Sequence, residues 1–596
     1  MARKGASKAP TPRQQPRCWL DRRWRHVLLA ILLVAAGLRF VCLTESPPGM
    51  HQDEAANAWN AWSLLKTGMD QVGVRWPIFY FRALGENRSP LYMYYLIPFQ
   101  AVGGLEIWTM RFASAVAGVG AVLLMYVVGS RLFGRGVGLT AAAMMAISPW
   151  AVQQSRWAHE ATLCPLLVLL PLAVLLWAGL PFGTAQGSPL GETKARKPCP
   201  FLAALGGALA GVCCYGYPSV LQFLPMFLLA AVLVNWREWW VLVRTRRGAS
   251  AVAAMVVAGA VTLGPLAWKY WTDPNISKRG RYLRVYKDTD SAWVKAGKVL
   301  ERYPLHFGPG FLFLSGDPIP HYHVQDYGQL DWYMLPLMLL GLAGVAARLK
   351  SSSAARVLLL WLLLYPVGDL VSIHHGDTSH EPAGHSLRSL PGLPGLILLG
   401  AFGTVWAGTW LWRRRRSAAW AAAAGLSLAV VAPTVLFYHH YFGAYSRKEV
   451  YYNFHTQLVD ACKWLRPRLE QADAVFFSQT GNQPYITTLA ALQYDPALWH
   501  RGEALVNIHL KDRTADPEWD WYFGYGKVFF MYPVFCDQVI RMFQANGRKD
   551  RVYFVLSPDI DREMRQIPAF QGLSEPLHTV IGPDGQPVLL IREVDL

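Results

Sequence analysis

A series of apolar runs, most of them long enough to cross roughly 30 Å of hydrocarbon, limits what this chain can fold into more than any other feature. The runs fall near 27–44, 108–130, 136–150, 160–180, 200–215, 219–235, 250–270, 332–348, 354–373, 387–411 and 417–438. Backbone polar groups cannot stay unpaired in lipid, so each run is expected to be a helix. Composition agrees: 53% of the 596 residues are hydrophobic, 16% are charged and mean hydropathy is +0.19, too apolar for an ordinary soluble multidomain protein. The expected fold is an α-helical polytopic membrane protein of about eleven transmembrane helices. The runs at 136–150 and 200–215 are the shortest.

A net charge of +18 raises the question of nucleic acid, but the bases cluster in alternate loops. Arg22, Arg23 and Arg25, Arg131 and Arg135, Lys194, Arg196 and Lys197, Arg244, Arg246 and Arg247, Arg348 and Lys350, and Arg413 to Arg416 share one predicted side. Positive charge of this kind marks the cytoplasmic face, so no nucleic-acid partner is needed to explain it. The reading is a multi-pass protein of the plasma (inner) membrane, with residues 1–26 as a disordered basic cytoplasmic tail. Residues 27–441 form the transmembrane domain, with long outer loops at 45–107 and 271–331, and an odd helix count puts residues 442–596 outside. There AVFFS (474–478), KVFFMY (527–532) and RVYFVL (551–556) read as strands, and HTVIGPDGQPVLLIREV as a terminal hairpin around Asp-Gly. The expectation is an extracytoplasmic α/β domain, in which Cys462 and Cys536 are the one pair that could be either bridged or free in an oxidising compartment.

On this topology the acids and histidines collect outside, whereas a transporter more often places ionisable groups within its helices. The helix interiors offer little beyond Arg39 and Asp369, and Arg39 is expected to snorkel to the headgroups. HQDEAANAW (51–59) sets Asp53 beside Glu54 just past the first run. Asp53 suits a general base, and equally the N-cap of the helix that follows. In that helix Ala55, Trp59, Trp62 and Leu65 share a face, which suggests a helix lying in the membrane interface. Glu160 either pairs with Arg156 at helical spacing or belongs to an acceptor or metal site. His159, His321 and His323 could join Glu160 around one divalent ion, although their spacing matches no specific ligand pattern. Arg388 opens a helix at the outer boundary, where it can meet a lipid phosphate or anchor to headgroups; Arg88 and Arg156 are similar candidates. Tyr92, Tyr94 and Tyr95 read as packing or an aromatic belt. No Walker or Rossmann glycine pattern occurs, so no nucleotide cofactor is expected.

The acidic pair, RSPLYMYYLIPFQAVGG (88–104), ISPWAVQQSRWAHEA (147–161), FLFLSGDPIPHYH (311–323) and HSLRSLPGLPGLILLG (385–400) together resemble bacterial membrane glycosyltransferases of the GT-C fold. The branch they look most like holds the protein O-mannosyltransferases and aminoarabinose transferases, and the likeness covers about residues 27–440. The resemblance implies an inverting transfer of a sugar from a polyprenyl-phosphate carrier to a lipid, protein or glycan hydroxyl on the outer face. It implies Asp53 as the general base. Glu54, Arg88, Arg156, Glu160 and Arg388 are then the candidate substrate-binding residues. The rival reading is a transporter or flippase of a glycolipid or envelope precursor.

Overall fold

The computed structural model describes residues 19–183, 197–277, 280, 283–373, 384–478, 483–501, 524–530, 551–567, 570 and 573–595. Cys536 lies outside these, and with it the expected Cys462–Cys536 pairing.

Every apolar run is helical. In chain order the first half holds α1 (Trp19–Phe40), α2 (Gln52–Thr67), a hairpin of β1 (Phe81–Ala83) and β2 (Glu86–Arg88), α3 (Leu91–Gly103), α4 (Ile107–Phe133), α5 (Arg135–Ile147), α6 (Pro149–Gln154) and α7 (Cys164–Trp177). Then come α8 (Pro200–Cys213), α9 (Pro218–Val234), α10 (Trp236–Val243), α11 (Arg246–Thr272), α12 (Ala292–Arg302), α13 (Met334–Ala346), α14 (Ser353–Leu364), α15 (Leu393–Arg414) and α16 (Arg416–His440). Among the described residues five helices are long and apolar enough to cross a membrane; four more are apolar but shorter, and α9 with α10 makes a pair bent by 80°. At 13 residues α5 is only about 20 Å long, which is why its sequence signal was among the weakest.

Two expectations about the first loops are corrected. Arg39 does not snorkel: it is fully buried and donates to the carbonyls of Ala35, Ala146 and Met145, tying α1 to the end of α5. Nor does α2 lie on an interface. Its residues 53–61 are all buried, and Trp59 meets Trp499 of the C-terminal region at 5.4 Å. The helix is covered by protein on both faces, so its amphipathic pattern reports packing. It is delimited by its own sequence: His51 Nδ1 accepts from the Asp53 N–H, Glu54 accepts from the His51 N–H, and Gly68 closes the far end at φ 72°.

The C-terminal region opens with α17 (Thr456–Leu465) and also contains α18 (Pro484–Ala491). Its strands β3 (Ala474–Phe477), β4 (Gly524–Tyr525), β5 (Val528–Phe530), β6 (Arg551–Leu556), β7 (His578–Ile581) and β8 (Pro587–Asp595) form one mixed sheet in the order β4-β5-β3-β6-β8-β7. Central β3 runs parallel to both β5 and β6, pairing Val475 with Val528 and Phe476 with Phe554. The three strands read from sequence and the terminal hairpin are all present, and Gly585 turns the hairpin at φ 80°.

Candidate active site

The site is built where the loop between α1 and α4 meets the turn between α6 and α7. Arg111 of α4 sets the loop's path: its guanidinium donates to the carbonyls of Leu43, Pro47 and Gly49 and forks onto Glu54 at 2.8 Å twice. Glu54 also accepts from the His51 and Ala158 N–H groups. A fully buried carboxylate with four donors has no lone pair to spare, so Glu54 is committed to holding the loop. Arg111 was not foreseen, although it is the one charge inside the run 108–130 and could have been flagged on that ground.

Asp53, one residue earlier, faces the other way. Its Oδ1 takes a 2.6 Å bond from Arg88 of β2, and the same guanidinium reaches Glu160 at 3.3 Å. His159 receives the Ala161 N–H on Nδ1, so its ring proton lies on Nε2, between Asp53 Oδ2 at 3.5 Å and Glu160 at 3.3 Å. Asn57 also donates to Glu160. Sequence candidates Asp53, Arg88, His159 and Glu160 thus form one buried cluster. Burial alone would raise the Asp53 carboxyl, but Arg88, the His159 hydrogen bond and His51 outweigh it and hold the group well below the usual carboxylate range. Asp53 is therefore ionised near neutral pH. It does not cap α2; His51 does.

A cage of imidazoles closes the other flank. His51 stacks on His321 at 4.7 Å and stands 6.4 Å from His455, the residue that starts α17. Burial pushes these rings down to about 4, about 3 and about 4 respectively, so all three are neutral. His51 Nδ1 already accepts the Asp53 N–H, so its 3.6 Å approach to Asp53 Oδ2 is not a hydrogen bond. Neither His51 nor His455 was singled out from sequence as a site residue.

The other candidates lie elsewhere. Arg156 does not pair with Glu160; it is buried under the end of α1, donating to the carbonyls of Leu38, Val41, Cys42 and Ser46. His323 turns to the Tyr327 carbonyl at 2.6 Å. The four proposed metal ligands therefore do not converge, and among the described residues no group of three or more His, Cys, Asp or Glu is placed to hold a metal ion. The position between Asp53 and Glu160, where a cation would balance both, is taken by the Arg88 guanidinium. Arg388 belongs to a second cluster, in which Asp369 accepts from Arg388 at 3.5 Å, from the His385 N–H at 2.9 Å and faces His306 at 3.0 Å. A chain of ring contacts connects the two clusters, stacked from His51 to His321, edge-on from His321 to Tyr322 (4.1 Å) and tilted from Tyr322 to His385 (4.8 Å). The three tyrosines pack as expected, with Tyr92 bonded to Ser114 and Tyr95 to the Ala113 carbonyl.

The chain is thus a multi-pass helical bundle with a buried acid–arginine cluster at its helix ends and a mixed sheet in its C-terminal region. Within it, residues 87–181 match the family described as dolichyl-phosphate-mannose-protein mannosyltransferase, bearing out the resemblance read from the loop motifs. The matched stretch includes Arg88, His159 and Glu160 and stops short of Asp53. The fold is shared with apo ArnT from Cupriavidus metallidurans, at 13% identity and TM-score 0.51, over 96% of this chain and 98% of that one. ArnT of the same organism bound to undecaprenyl phosphate aligns at 14% identity and TM-score 0.49, over 96% and 98%. Archaeal oligosaccharyltransferase AglB from Archaeoglobus fulgidus aligns at 13% identity and TM-score 0.48, over 80% and 64%. No curated protein sequence matches the chain.

Proposed function

We propose that the protein is an inverting glycosyltransferase that moves a sugar from a polyprenyl-phosphate carrier to an acceptor hydroxyl, with about eleven spans and its site on the extracytoplasmic face. The observation that carries this reading is the ionised, buried Asp53 clamped by Arg88, inside a fold and beside a matched segment of this family. The acceptor oxygen attacks the anomeric carbon from the face opposite the phosphate, and the bond from that carbon to the phosphate oxygen breaks. The acceptor's proton passes to Asp53 Oδ2, the oxygen that Arg88 leaves free. The bond's electron pair leaves with the carrier phosphate, whose negative charge needs a buried cation.

Arg88 suits that part. Its Nε is buried without a partner, so it can donate to a phosphate oxygen while the two terminal nitrogens keep Asp53 and Glu160 in place. Asn57 Oδ1 and His455 Nδ1 are likewise buried and unpartnered, as expected around a site that takes up a polar sugar. Arg388, held by Asp369, is a second candidate for the carrier's phosphate.

The test is transfer from labelled polyprenyl-phosphate sugars by purified protein and by its Asp53→Asn variant. The expected product has the opposite anomeric configuration to the donor. The variant is expected to fold and to lose about 10²–10⁴-fold in rate. An Asp53→Asn protein with near-normal transfer would remove the base assignment, and movement of intact glycolipid without transfer would favour the transporter reading.

A further inference from the structure

Behind the catalytic cluster, the same β-hairpin borders a second feature. In β2 the Arg88 side chain enters the cluster, whereas Asn87, on the opposite face of the strand, lines an open groove of about 660 Å³ together with Arg75, Trp76, Ile78, Arg82 and Lys269. Asn87 donates to the Asn275 carbonyl at 2.8 Å, which fixes the hairpin to the segment after α11. The groove's chemistry is divided. Trp76 and Ile78 are exposed by 54% and 63%, large apolar surfaces that water does not favour. Of the cations, Lys269 is engaged by Asp273 at 2.9 Å, but neither the Arg75 nor the Arg82 guanidinium has an ion-pair partner among the described residues. The groove's acid, Asp70, is 1% exposed and occupied by the N–H groups of Val72 and Val74.

The groove's position selects among possible occupants. Lys269 lies in the last turn of α11, whose apolar window is only 11% buried within the protein, so this helix presents its sides to lipid. Trp268 and Trp271 flank Lys269 and are among the most exposed large side chains on that helix, which is how an aromatic belt marks headgroup depth. The groove, which Lys269 helps to line, therefore lies at that depth, with exposed Trp76 and Ile78 as its apolar wall and the Arg75 and Arg82 guanidiniums beside them, Arg82 also feeling the buried charge of Asp70.

We propose that this groove binds the headgroup of an anionic phospholipid, with the phosphate between Arg75 and Arg82 and the upper acyl chain against Trp76 and Ile78. The site is separate from the donor's phosphate site at Arg88 and stands whether or not the transferase reading holds. The test is native mass spectrometry of the full-length protein from nanodiscs holding equal amounts of phosphatidylglycerol and phosphatidylcholine. The wild type is expected to retain one phosphatidylglycerol about tenfold over phosphatidylcholine. The double variant Arg75→Gln/Arg82→Gln, altered only at exposed residues, is expected to lose that preference while melting like the wild type. A preference that survives in the double variant overturns the assignment. So does displacement of the retained lipid by millimolar inorganic phosphate, which would mark an anion site, or by undecaprenyl phosphate at equal mole fraction, which would make the groove part of the donor site.

Discussion

Asp53 and Glu54 are neighbours that the structure puts to opposite uses, and the reason is who answers them. Glu54 meets Arg111, fully buried and 57 residues away, and becomes structural; Asp53 meets Arg88 on one oxygen and leaves the other to the longer approach of His159. The sequence showed an acidic pair and a cationic Arg88 but not which acid met which base, because such pairings depend on tertiary approach and leave no periodicity to read. The same applies to the neutral imidazoles, from which a pH dependence follows. The folded values of His51, His321 and His455 are depressed by burial to about 4, about 3 and about 4, against about 6.5 for an unfolded chain. Below pH 6.5 the unfolded state takes up protons that the folded state refuses, so stability is full above that pH and is lost as pH falls toward the folded values. Asp53, with a depressed carboxyl, adds its own loss only at still lower pH, below about 4. Each histidine is expected to withdraw roughly 2 kcal/mol by pH 5, seen as a melting temperature that declines between pH 6.5 and 5. His455→Asn tolerates the left-handed backbone at that position (φ 44°) and removes one titrating group, so its decline should be shallower. A profile as steep as the wild type's would show that His455 is not held neutral. Chemistry at Arg88 gives a second expectation: since its guanidinium stands where a metal would, transfer should persist in excess chelator, and Arg88→Gln should cost about 10²-fold or more. Loss in chelator with recovery on adding one divalent ion would contradict this.

Among the helices, the apolar runs were legible because hydrophobic length survives any tertiary arrangement; the ends and bends were not. The run at 219–235 ends at Asn235, where the chain turns by 80° into α10, and hydropathy carries no trace of that turn. Close packing of helices was equally hidden. A Cβ on Gly207 of α8 would stand 2.1 Å from the Met255 carbonyl of α11, and one on Gly403 of α15 would stand 2.0 Å from the Leu337 carbonyl of α13, so small residues let these backbones touch. Buried arginines do the corresponding work at helix ends. Arg156 takes the Leu38 and Val41 carbonyls at the C-terminal end of α1. Arg156→Met conserves much of the volume but orphans them, and at about 1–3 kcal/mol for each buried unsatisfied group the variant is expected to melt well below the wild type and accumulate poorly. The readout is thermal unfolding in detergent. A melting temperature within a degree or two of the wild type's would return Arg156 to the list of substrate-binding candidates.

Considered as one molecule, the protein makes its site from both of its parts. The sequence suggested a separable domain from residue 442, because charge and strand patterns change there. What it could not show is that this region's first turn, Phe454 and His455, packs on His51 at 5.8 and 6.4 Å, while Asn453 approaches His321 at 3.4 Å. Sidedness tests the assembly as a whole. Single thiols introduced at exposed Arg415, just before α16, and Lys448, eight residues beyond its far end, should label from opposite faces of sealed vesicles, Lys448 from the extracytoplasmic one; the reverse pattern would put the cluster where no outward-facing donor could reach it. The contact between the parts turns on one glycine. Gly49 has φ +55°, and a Cβ there would lie 2.3 Å from the Phe454 carbonyl and 2.6 Å from the Thr456 Cα. The next N–H, of Met50, donates to that same Phe454 carbonyl at 2.6 Å. Gly49→Ala must therefore push the mixed-sheet region away from the loop that carries His51 and Asp53, without touching any helix of the bundle. A displacement of about 1 Å at a reacting centre costs on the order of 10²-fold in rate, so the variant is expected to keep its helical circular dichroism, become more easily cleaved by protease between residues 441 and 456, and lose transfer activity to about that extent. Unchanged activity together with unchanged cleavage would mean that the mixed-sheet region covers the bundle without helping to shape the site.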